Sequence, residues 1–464
     1  DCFWLKANEP SVSWNLCIGG QRPTGEDATN EVTYLCLSAA ERLRLQKPNL
    51  SFRWHSGTPD SALKRALQVV RLGTGFPAIY NDESLVPALT AIGVTLEDAR
   101  DYAMGGCSEV SVCAKSHYGN EDGDISITKP LEYALHNGFC VMHKCREGAE
   151  TGDVATFKTF DDVLTAYKRQ VEFCIALLAR YCNLGQQARA EHAPRLVKTL
   201  LTDDCLERAQ TIDEGGARYN GGQFFVIGLA NAADSLAAIK KVVFEEKRLS
   251  LSDLVAILDR NFEGHEPLRQ QLLNAVPKFG NDDPYVDSLM ADIAAHCFTT
   301  IKQQRAWRGG VYGANVIVLE RNIIFGKSLA ATPDGRLAGS PVSDSIGPMQ
   351  GADRQGPTAT INSIGRIDQT LAPGGVILNL KFSPKALEGE DGLDKLAALL
   401  KRYFALKGQQ VQITVVDKAT LLAAQREPHN YRHLLVRVGG FSGRFVDFSD
   451  ELQRQVIART EHAL

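Results

Sequence analysis

Amphipathic helices and short apolar runs alternate along the chain, and this alternation is the strongest constraint on its fold. Helical spacing of apolar residues predicts helices at 58–73, 161–181 and 230–246. The second half adds runs rich in Val, Ile and Leu: NVIVL at 315–319, VILNLKF at 376–382, VQITVV at 411–416 and LLVRV at 434–438. Several of these runs show little alternation with polar residues, as expected for strands covered on both faces. The pattern therefore predicts an α/β architecture.

The composition excludes several classes of function. The 464 residues are 44% hydrophobic and 23% charged, with a formal net charge of −4, so no basic face for nucleic acid is indicated. The sequence contains no run of about 18 apolar residues, so no membrane span is predicted. No signal peptide is visible. The eleven cysteines are scattered without a C-x-x-C pair, which is typical of reduced thiols. We therefore expect a cytoplasmic protein without a nucleic-acid or membrane partner.

Turn-rich segments indicate how the chain is divided. The segments TPDGR at 332–336 and SIGPMQG at 345–351 are rich in turn-forming residues, which places an approximate domain boundary between 330 and 345. We divide the chain at this point into residues 1–340 and 341–464. The first residue is Asp1, and the residues that follow read like the middle of a domain. The expectation is therefore a chain truncated at its N-terminus.

Cys140, His143 and Cys145 bring metal-ligating residue types close together. A tetrahedral zinc site requires four ligands, and the sequence does not identify the fourth. The prediction is that no metal is bound and that these cysteines are reduced.

The segment DYAMGGCSEVSV at 101–112 carries a candidate catalytic pair. Two glycines precede Cys107 and would allow a tight turn that lifts its side chain into a cavity. In an extended loop, Glu109 would point the same way as Cys107, which would place a thiol beside a proton acceptor. Taken alone, the segment is better explained by a buried cysteine on a turn with a solvated glutamate nearby. His117, the nearest histidine in sequence, has no evident group to orient it as a partner for a thiolate.

Two adjacent glycines, Gly439 and Gly440, interrupt the last apolar run in VRVGGFSGRF at 436–445. Glycine weakens a strand because it has no side chain to pack and loses more chain entropy than other residues. Either the backbone bends at this point, or the local chemistry requires a Cα without a side chain.

The segments around Cys107 and Gly440 together resemble the glycyl radical enzymes of the pyruvate formate-lyase-like superfamily. The C-terminal signature stands here as RVGGFSGRFVDFSDELQRQVIARTEH at 437–462. Further similar segments are SFRWHSGTPDSALKRA, GTGFPAIYNDE, LEDARDYAMGGCSE, ANAADSLAAIKKVVFEEK, ATPDGR and LNLKFSP, so the resemblance covers nearly the whole chain. It implies the C-terminal portion of a ten-stranded α/β barrel surrounded by helices, with residues 341–464 as the glycine radical domain.

The resemblance also implies a mechanism. A radical S-adenosylmethionine activating enzyme with an iron–sulfur cluster would remove hydrogen from Gly440; Gly439 is the alternative position. The Gly440 radical would take hydrogen from Cys107, and the resulting thiyl would act on a small-molecule substrate. No bound cofactor is expected beyond this post-translational radical. Family resemblance further suggests a homodimer, and the chain alone is expected to be inactive because relatives extend further on the N-terminal side.

The Cys-x-Glu pattern narrows the reaction class. Cys107 is followed by Ser108 and not by a second cysteine, which argues against acyl transfer to coenzyme A. The pattern is similar to that of dehydratases and C–O, C–N or C–S lyases, in which the glutamate, here Glu109, deprotonates a substrate hydroxyl. An arylacetate decarboxylase and a non-catalytic binding relative are the alternatives.

Departures from the family pattern leave the substrate open. Val110 stands where relatives carry proline, and the segment at 118–124 is unusually acidic. Glu121, Asp122 and Asp124 are candidate contacts for a cationic or polyhydroxylated substrate. A solvated turn is the alternative interpretation of these three residues.

Overall fold

A large sheet forms the centre of the molecule, which we describe from a computed structural model covering residues 15–118 and 121–464. The strands of the described ranges, in chain order, are β1 (Asn15–Gly19), β2 (Asn49–Trp54), β3 (Ala78–Asn81), β4 (Tyr102–Gly105), β5 (Glu109–Val112), β6 (Glu121–Ser126), β7 (Phe139–Cys140), β8 (Cys145–Arg146), β9 (Gly221–Ile227), β10 (Val311–Val316), β11 (Gly375–Phe382), β12 (Gln410–Val415), β13 (Leu435–Arg437), β14 (Ser442–Arg444) and β15 (Glu461–His462).

Nine of these strands form the central sheet. Eight follow the order β1-β2-β3-β12-β11-β10-β9-β6, and β15 pairs with one end of β11. Strands β1 to β3 are parallel to one another, and β12 to β6 along that path are also mutually parallel. The two groups meet antiparallel where β3 pairs with β12. The sheet therefore consists of two parallel units that run in opposite directions.

Sixteen α-helices surround the sheet within the described ranges. They are α1 (Glu31–Leu43), α2 (Asp60–Val70), α3 (Asp82–Thr90), α4 (Leu96–Arg100), α5 (Lys129–Leu135), α6 (Phe160–His192), α7 (Leu196–Leu200), α8 (Leu229–Ile239), α9 (Leu251–Asp259), α10 (Glu266–Asn274), α11 (Pro284–Lys302), α12 (Arg321–Lys327), α13 (Pro357–Ile364), α14 (Gly389–Ala405), α15 (Lys418–Arg426) and α16 (Asp450–Ala458). In this described part of the chain, none of the helices is both long and apolar enough to cross a membrane.

The α/β prediction is confirmed, and most of the predicted elements are present with shifted ends. The predicted helix at 161–181 extends to His192, because polar residues replace the apolar stripe without breaking the helix. The helix at 230–246 ends in a π-helical turn at Lys240–Glu245. Only the first two residues of the run at 315–319 lie in a strand, because β10 spans Val311–Val316 and therefore ends within the run.

Three two-stranded hairpins lie outside the central sheet: β4–β5, β7–β8 and β13–β14. The backbone N–H of Val110 in β5 donates to Gly374 O (3.2 Å), just before β11. Thr414 of β12 donates its hydroxyl to Arg437 O (3.2 Å), at the end of β13. Hairpins β4–β5 and β13–β14 are thus both anchored to the central parallel strands, and their turns carry the candidate catalytic residues.

Candidate active site

Cys107 lies at the tip of the β4–β5 hairpin. Gly106 begins the turn with φ +57°, in the left-handed region that favours glycine. Glu109 begins β5, and its Oε2 accepts hydrogen bonds from the backbone N–H groups of Cys107 (3.0 Å) and Ser108 (2.8 Å). The expectation of an extended loop is wrong here, because residues 106–108 form a tight turn. The turn nevertheless places the Glu109 carboxylate beside Cys107.

Gly440 lies in the turn of the β13–β14 hairpin and faces Cys107. Its φ is +92°, and a Cβ built on it would be 2.6 Å from Cys107 Cβ and 2.9 Å from Ile317 Cδ1. The Gly440 Cα is therefore within about 4 Å of Cys107 Cβ, allowing one C–C bond length for the added carbon. Both the backbone conformation and the close approach require glycine at this position.

Gly439 has a different environment. A Cβ built on it would contact the backbone of Leu319, at 3.2 Å from its nitrogen, and its φ lies outside the left-handed region. The hairpin turn thus directs the Cα of Gly440, and not that of Gly439, toward the cysteine.

A buried polar network fixes both turns. Asn49 of β2 donates through Nδ2 to Gly106 O and to Gly440 O, at 3.2 Å in each case. Gln412 of β12 accepts a hydrogen bond from Gly440 N–H (3.3 Å) and another from Arg437 Nε. The peptide groups on both sides of the Gly440 Cα are therefore hydrogen-bonded. A Cα radical is stabilised by delocalisation onto these two groups, provided that they remain coplanar with it.

Arg437 connects the network to the core. It is 1% exposed, its Nη1 donates to Asn49 Oδ1 (3.2 Å), and its Cζ lies 5.2 Å from the centre of the Phe76 ring. Burial lowers the pKa of Arg437 to about 10, and the nearby Tyr80 and Cys107 oppose that shift. The Arg437 carbonyl accepts a further hydrogen bond from Arg459 Nη1 (2.7 Å), so the strand leading to Gly440 is held on both sides.

Apolar side chains cover the other side of Cys107. It packs against a buried cluster whose members are Phe225, Ile227, Ile317, Val318, Leu329, Val342 and Ile377. These side chains shield one side of Cys107 from water, while the residue as a whole is half-buried.

The three acidic candidates are placed differently from one another. The Asp122 carboxylate pairs with Arg308 Nη2 (2.9 Å) and accepts a hydrogen bond from Gln186 Nε2 (3.0 Å). The Asp124 carboxylate lies 3.0 Å from Arg321 Nε and lines a surface groove together with Lys129 and Phe325. The Glu121 side chain lies outside the described residues.

His117 is held apart from the thiol. Its Nε2 interacts with Arg195, and burial together with Arg308, Arg195 and Lys198 lowers its pKa to about 3. It is therefore neutral at physiological pH and does not supply a cation to Cys107.

Comparison with known proteins identifies the class to which this fold and site belong. The family model described as pyruvate formate lyase-like matches residues 4–326, and the glycine radical model matches residues 342–446. The chain belongs to the pyruvate formate lyase-like family of glycyl radical enzymes.

The similar proteins include dehydratases and a C–S lyase. The chain is 36% identical to the trans-4-hydroxy-L-proline dehydratase of Clostridioides difficile, over 99% of this chain and 60% of that protein. It is 37% identical to the isethionate sulfite-lyase of Desulfovibrio desulfuricans, over 98% and 56% respectively. Among solved structures, the chain is similar to the B12-independent glycerol dehydratase of Clostridium butyricum in its glycerol-bound form, with a TM-score of 0.94. The two sequences are 38% identical, and the match covers 97% of this chain and 57% of that one. The chain thus spans somewhat more than half the length of these relatives.

The sequence motifs did not identify Asn49 and Gln412, whose side chains hydrogen-bond to the carbonyl and the N–H of Gly440. A signal for them exists in their strands. In β12, Gln410, Gln412 and Thr414 alternate with apolar residues, and β2 shows the same alternation. The run at 411–416 is predicted as an apolar strand and no strand is predicted at 49–54, so the sequence analysis does not predict that these polar faces line an interior site.

Proposed function

We propose that the protein is a glycyl radical lyase that eliminates water or another leaving group from a small hydroxylated substrate. The observation that carries this proposal is the contact between the Gly440 Cα and the Cys107 side chain across two hairpin turns. Hydrogen transfer between two atoms requires such van der Waals contact, about 3–3.5 Å in a reactive geometry.

The relay begins with removal of one hydrogen atom from Gly440. The Gly440 radical takes the hydrogen atom of the Cys107 thiol, which restores the glycine and leaves a thiyl. The thiyl abstracts a hydrogen atom from a substrate carbon, so the S–H bond re-forms and the radical moves to the substrate. After elimination, the product radical recovers a hydrogen atom from Cys107, and the resulting thiyl takes one from Gly440, which restores the Gly440 radical. Each of these transfers moves one hydrogen atom and one unpaired electron, so no net oxidant is consumed after activation.

Glu109 is the base in this scheme. Its carboxylate is fixed beside Cys107 by two backbone N–H donors, so a substrate held against the sulfur also reaches the carboxylate. Glu109 accepts the proton of the hydroxyl on the radical carbon. As the C–O bond becomes a carbonyl, the bond to the leaving group on the neighbouring carbon breaks, and the leaving group departs with the electron pair. Where that group is hydroxide, it takes the proton from Glu109 and leaves as water. The similarity to a dehydratase and to a sulfite-lyase supports elimination as the reaction type.

The proposal includes the partners of the protein. A radical S-adenosylmethionine enzyme with an iron–sulfur cluster installs the Gly440 radical, and the active protein is a cytoplasmic homodimer.

The proposal also includes the domain organisation. We divide the chain into residues 1–340, which carry the Cys107 hairpin, and residues 341–464, which carry Gly440. The separate matches of the two family models support this division.

Electron paramagnetic resonance tests the proposal. The full-length protein is incubated anaerobically with a cognate activating enzyme, S-adenosylmethionine and a reductant. We expect a doublet from one α-hydrogen in the wild type and in Gly439→Ala, and no doublet in Gly440→Ala. The Gly439→Ala control leaves the approach to Cys107 open. Its Cβ would lie at a tight 3.2 Å from the backbone nitrogen of Leu319, so the folding of this variant is checked by circular dichroism.

Substrate screening completes the test. Cys107→Ser and Glu109→Gln should retain the doublet and lose product formation, because both act after radical installation. Release of an aldehyde, ketone or imine supports elimination, whereas carbon dioxide release would replace it with a decarboxylase. Absence of the wild-type doublet with an activating enzyme proven on another substrate would contradict the radical mechanism.

A further inference from the structure

A second cluster of chemically reactive side chains lies away from the Gly440–Cys107 contact, on the β7–β8 hairpin. The hairpin begins at Phe139 after α5, and Cys140 and Cys145 are directly opposite each other across its two strands. The turn between them includes Lys144 at φ +56°, which folds the chain back sharply. As a result, Cys140, His143 and Glu147 place their ligand atoms within 4.8 Å of one another.

We propose that Cys140, His143, Cys145 and Glu147 bind one divalent metal ion of the thiolate- and imidazole-preferring type, with Zn²⁺ as the expected ion. The spacing is C-x₂-H-x-C-x-E on one short hairpin. Glu147 supplies the fourth ligand that the sequence pattern alone did not identify. The proposal is independent of the radical chemistry.

Three donor atoms, those of Cys140, His143 and Glu147, already lie close enough to share one ion, and Cys145 is the ligand that must move to join them. Bond lengths of 2.0–2.3 Å to zinc place tetrahedral ligand atoms about 3.3–3.8 Å apart. Cys145 Sγ lies 3.6 Å from Glu147 Oε1, within this range. His143 Nδ1 lies 2.7 Å from the same oxygen, as a hydrogen-bonded pair. Metal binding replaces this hydrogen bond and moves the two atoms apart by about 0.6 Å.

The energetic cost of that rearrangement is low. The His143 side chain is 53% exposed, and ion pairs in such positions contribute little to stability. Cys145 is also exposed, so its side chain can rotate toward the ion without disturbing a packed core. The two exposed ligands can therefore adjust around a fixed one.

Cys140 is the fixed ligand. It is fully buried, and its sulfur lies 3.3 Å from the backbone N–H of His143 and 3.1 Å from Lys129 Nζ. Both groups donate to the sulfur, so it is held in a fixed position on the hairpin. Lys129 also contacts Glu132 Oε1 (2.7 Å) and Ser328 O (2.9 Å), so it remains in place as a donor to the metal-bound sulfur.

The position of the hairpin indicates a structural role. Glu132 accepts hydrogen bonds from the backbone N–H groups of Val141 (3.0 Å) and Ala330 (3.0 Å), which links the hairpin to the segment after α12. Leu329 in that segment belongs to the apolar cluster that packs against Cys107. An ion that closes the hairpin therefore stabilises one wall of the region around the candidate active site. Binding releases the protons of both thiols, because only deprotonated cysteines coordinate.

Metal titration of the full-length protein tests the site. The reduced protein is freed of metal with a chelator, Zn²⁺ is added, and the bound metal is measured after desalting. Co²⁺ is added to a second sample, because a tetrahedral thiolate site produces intense d–d absorption. We expect one equivalent of Zn²⁺, and an affinity at least about tenfold lower in His143→Gln and in Cys145→Ser.

Matched controls decide the outcome. His192→Gln and Cys113→Ser replace exposed residues of the same types outside the cluster and should keep the wild-type affinity. Cys140→Ser tests the buried ligand in the same way, and circular dichroism checks that this variant is folded. Bound metal well below one equivalent, or equal losses in the cluster and control variants, would overturn the proposal. The same holds if Cys140 and Cys145 form a disulfide in air while the reduced protein binds no metal.

Discussion

Asn49 lies directly beside Gly440, with its Nδ2 3.2 Å from the Gly440 carbonyl oxygen, although the two residues are 391 positions apart in sequence. The same amide nitrogen contacts Gly106 O, one residue before Cys107. One buried side chain of β2 therefore sets the distance between the two hairpin turns.

Asn49→Ala should loosen this connection. The substitution leaves two buried carbonyl groups and Arg437 Nη1 with one partner fewer, at a cost of about 1–3 kcal/mol. We expect a lower unfolding temperature and fewer spins per protein after activation, measured by thermal unfolding and spin quantification. Asn430→Ala is the control because Asn430 is exposed and its side chain donates a hydrogen bond to the exposed Glu427. Equal effects of the two substitutions would argue against this positioning role.

Gly75→Ala should destabilise the hairpin that carries Gly440. A Cβ at this position would lie 2.8 Å from Ser442 Oγ and 2.9 Å from Arg437 Cβ, in addition to the strain of φ +76°. Gly93→Ala is matched to it, because Gly93 has φ +95° and no atom within 4 Å of the added carbon. Both variants carry a left-handed strain of about 1–2 kcal/mol. Crowding adds about 1–3 kcal/mol to Gly75→Ala alone, measurable by urea unfolding. If both variants lose the same stability, the predicted crowding is absent.

Asp122→Asn distinguishes a structural aspartate from a substrate contact. Asp122 and Arg308 form an ion pair whose side chains are 10% and 3% exposed. Breaking such a buried pair costs about 3–5 kcal/mol, because the remaining charge is left unpaired. We expect a large loss of stability at an unchanged KM, while Glu390→Gln, in an exposed pair with Lys64, costs about 0–1 kcal/mol. A raised KM at unchanged stability would instead make Asp122 a substrate ligand.

His117 should make the protein sensitive to mild acid. Its pKa is lowered to about 3 in the folded protein from an ordinary 6.5, so the unfolded chain binds the extra proton between these values. The contribution of His117 to the free energy of unfolding is therefore fully present above about pH 6.5 and declines as the pH falls toward 3. Between pH 7 and pH 5 the expected loss is about 1–2 kcal/mol.

The difference between wild type and His117→Gln isolates this contribution from other titrating groups. Asp234, whose pKa burial raises to about 7, acts in the opposite direction and is present in both proteins. Denaturant unfolding at pH 5 and pH 7 should give a smaller pH dependence in the variant. His192→Gln, at an exposed position, should behave like the wild type. An identical pH dependence in His117→Gln would show that His117 titrates normally in the folded protein.

Local sequence patterns predicted which segments form helices and strands more reliably than they predicted which polar side chains of those segments are buried. The run at 376–382 is β11 nearly to the residue, because its buried apolar side chains are compatible with a strand packed on both faces. The site was harder to anticipate. Gln410, Gln412 and Thr414 would ordinarily indicate a solvated strand face, yet each is at most 1% exposed. Burial of a polar strand face depends on hairpins contributed by distant parts of the chain.

The sequence by itself determined the chemistry available to this protein: a cysteine after two glycines, a glutamate two residues later, and a glycine in a specific C-terminal motif. These features are local, and a short segment suffices to specify them. Tertiary structure alone decided which groups meet. It placed Gly440 and not Gly439 against Cys107, paired Asp122 with Arg308, and brought Glu147 to Cys140 and His143. Each of these contacts depends on the three-dimensional path of the backbone, because hydrogen bonds and steric contacts act over a few ångströms regardless of separation in sequence.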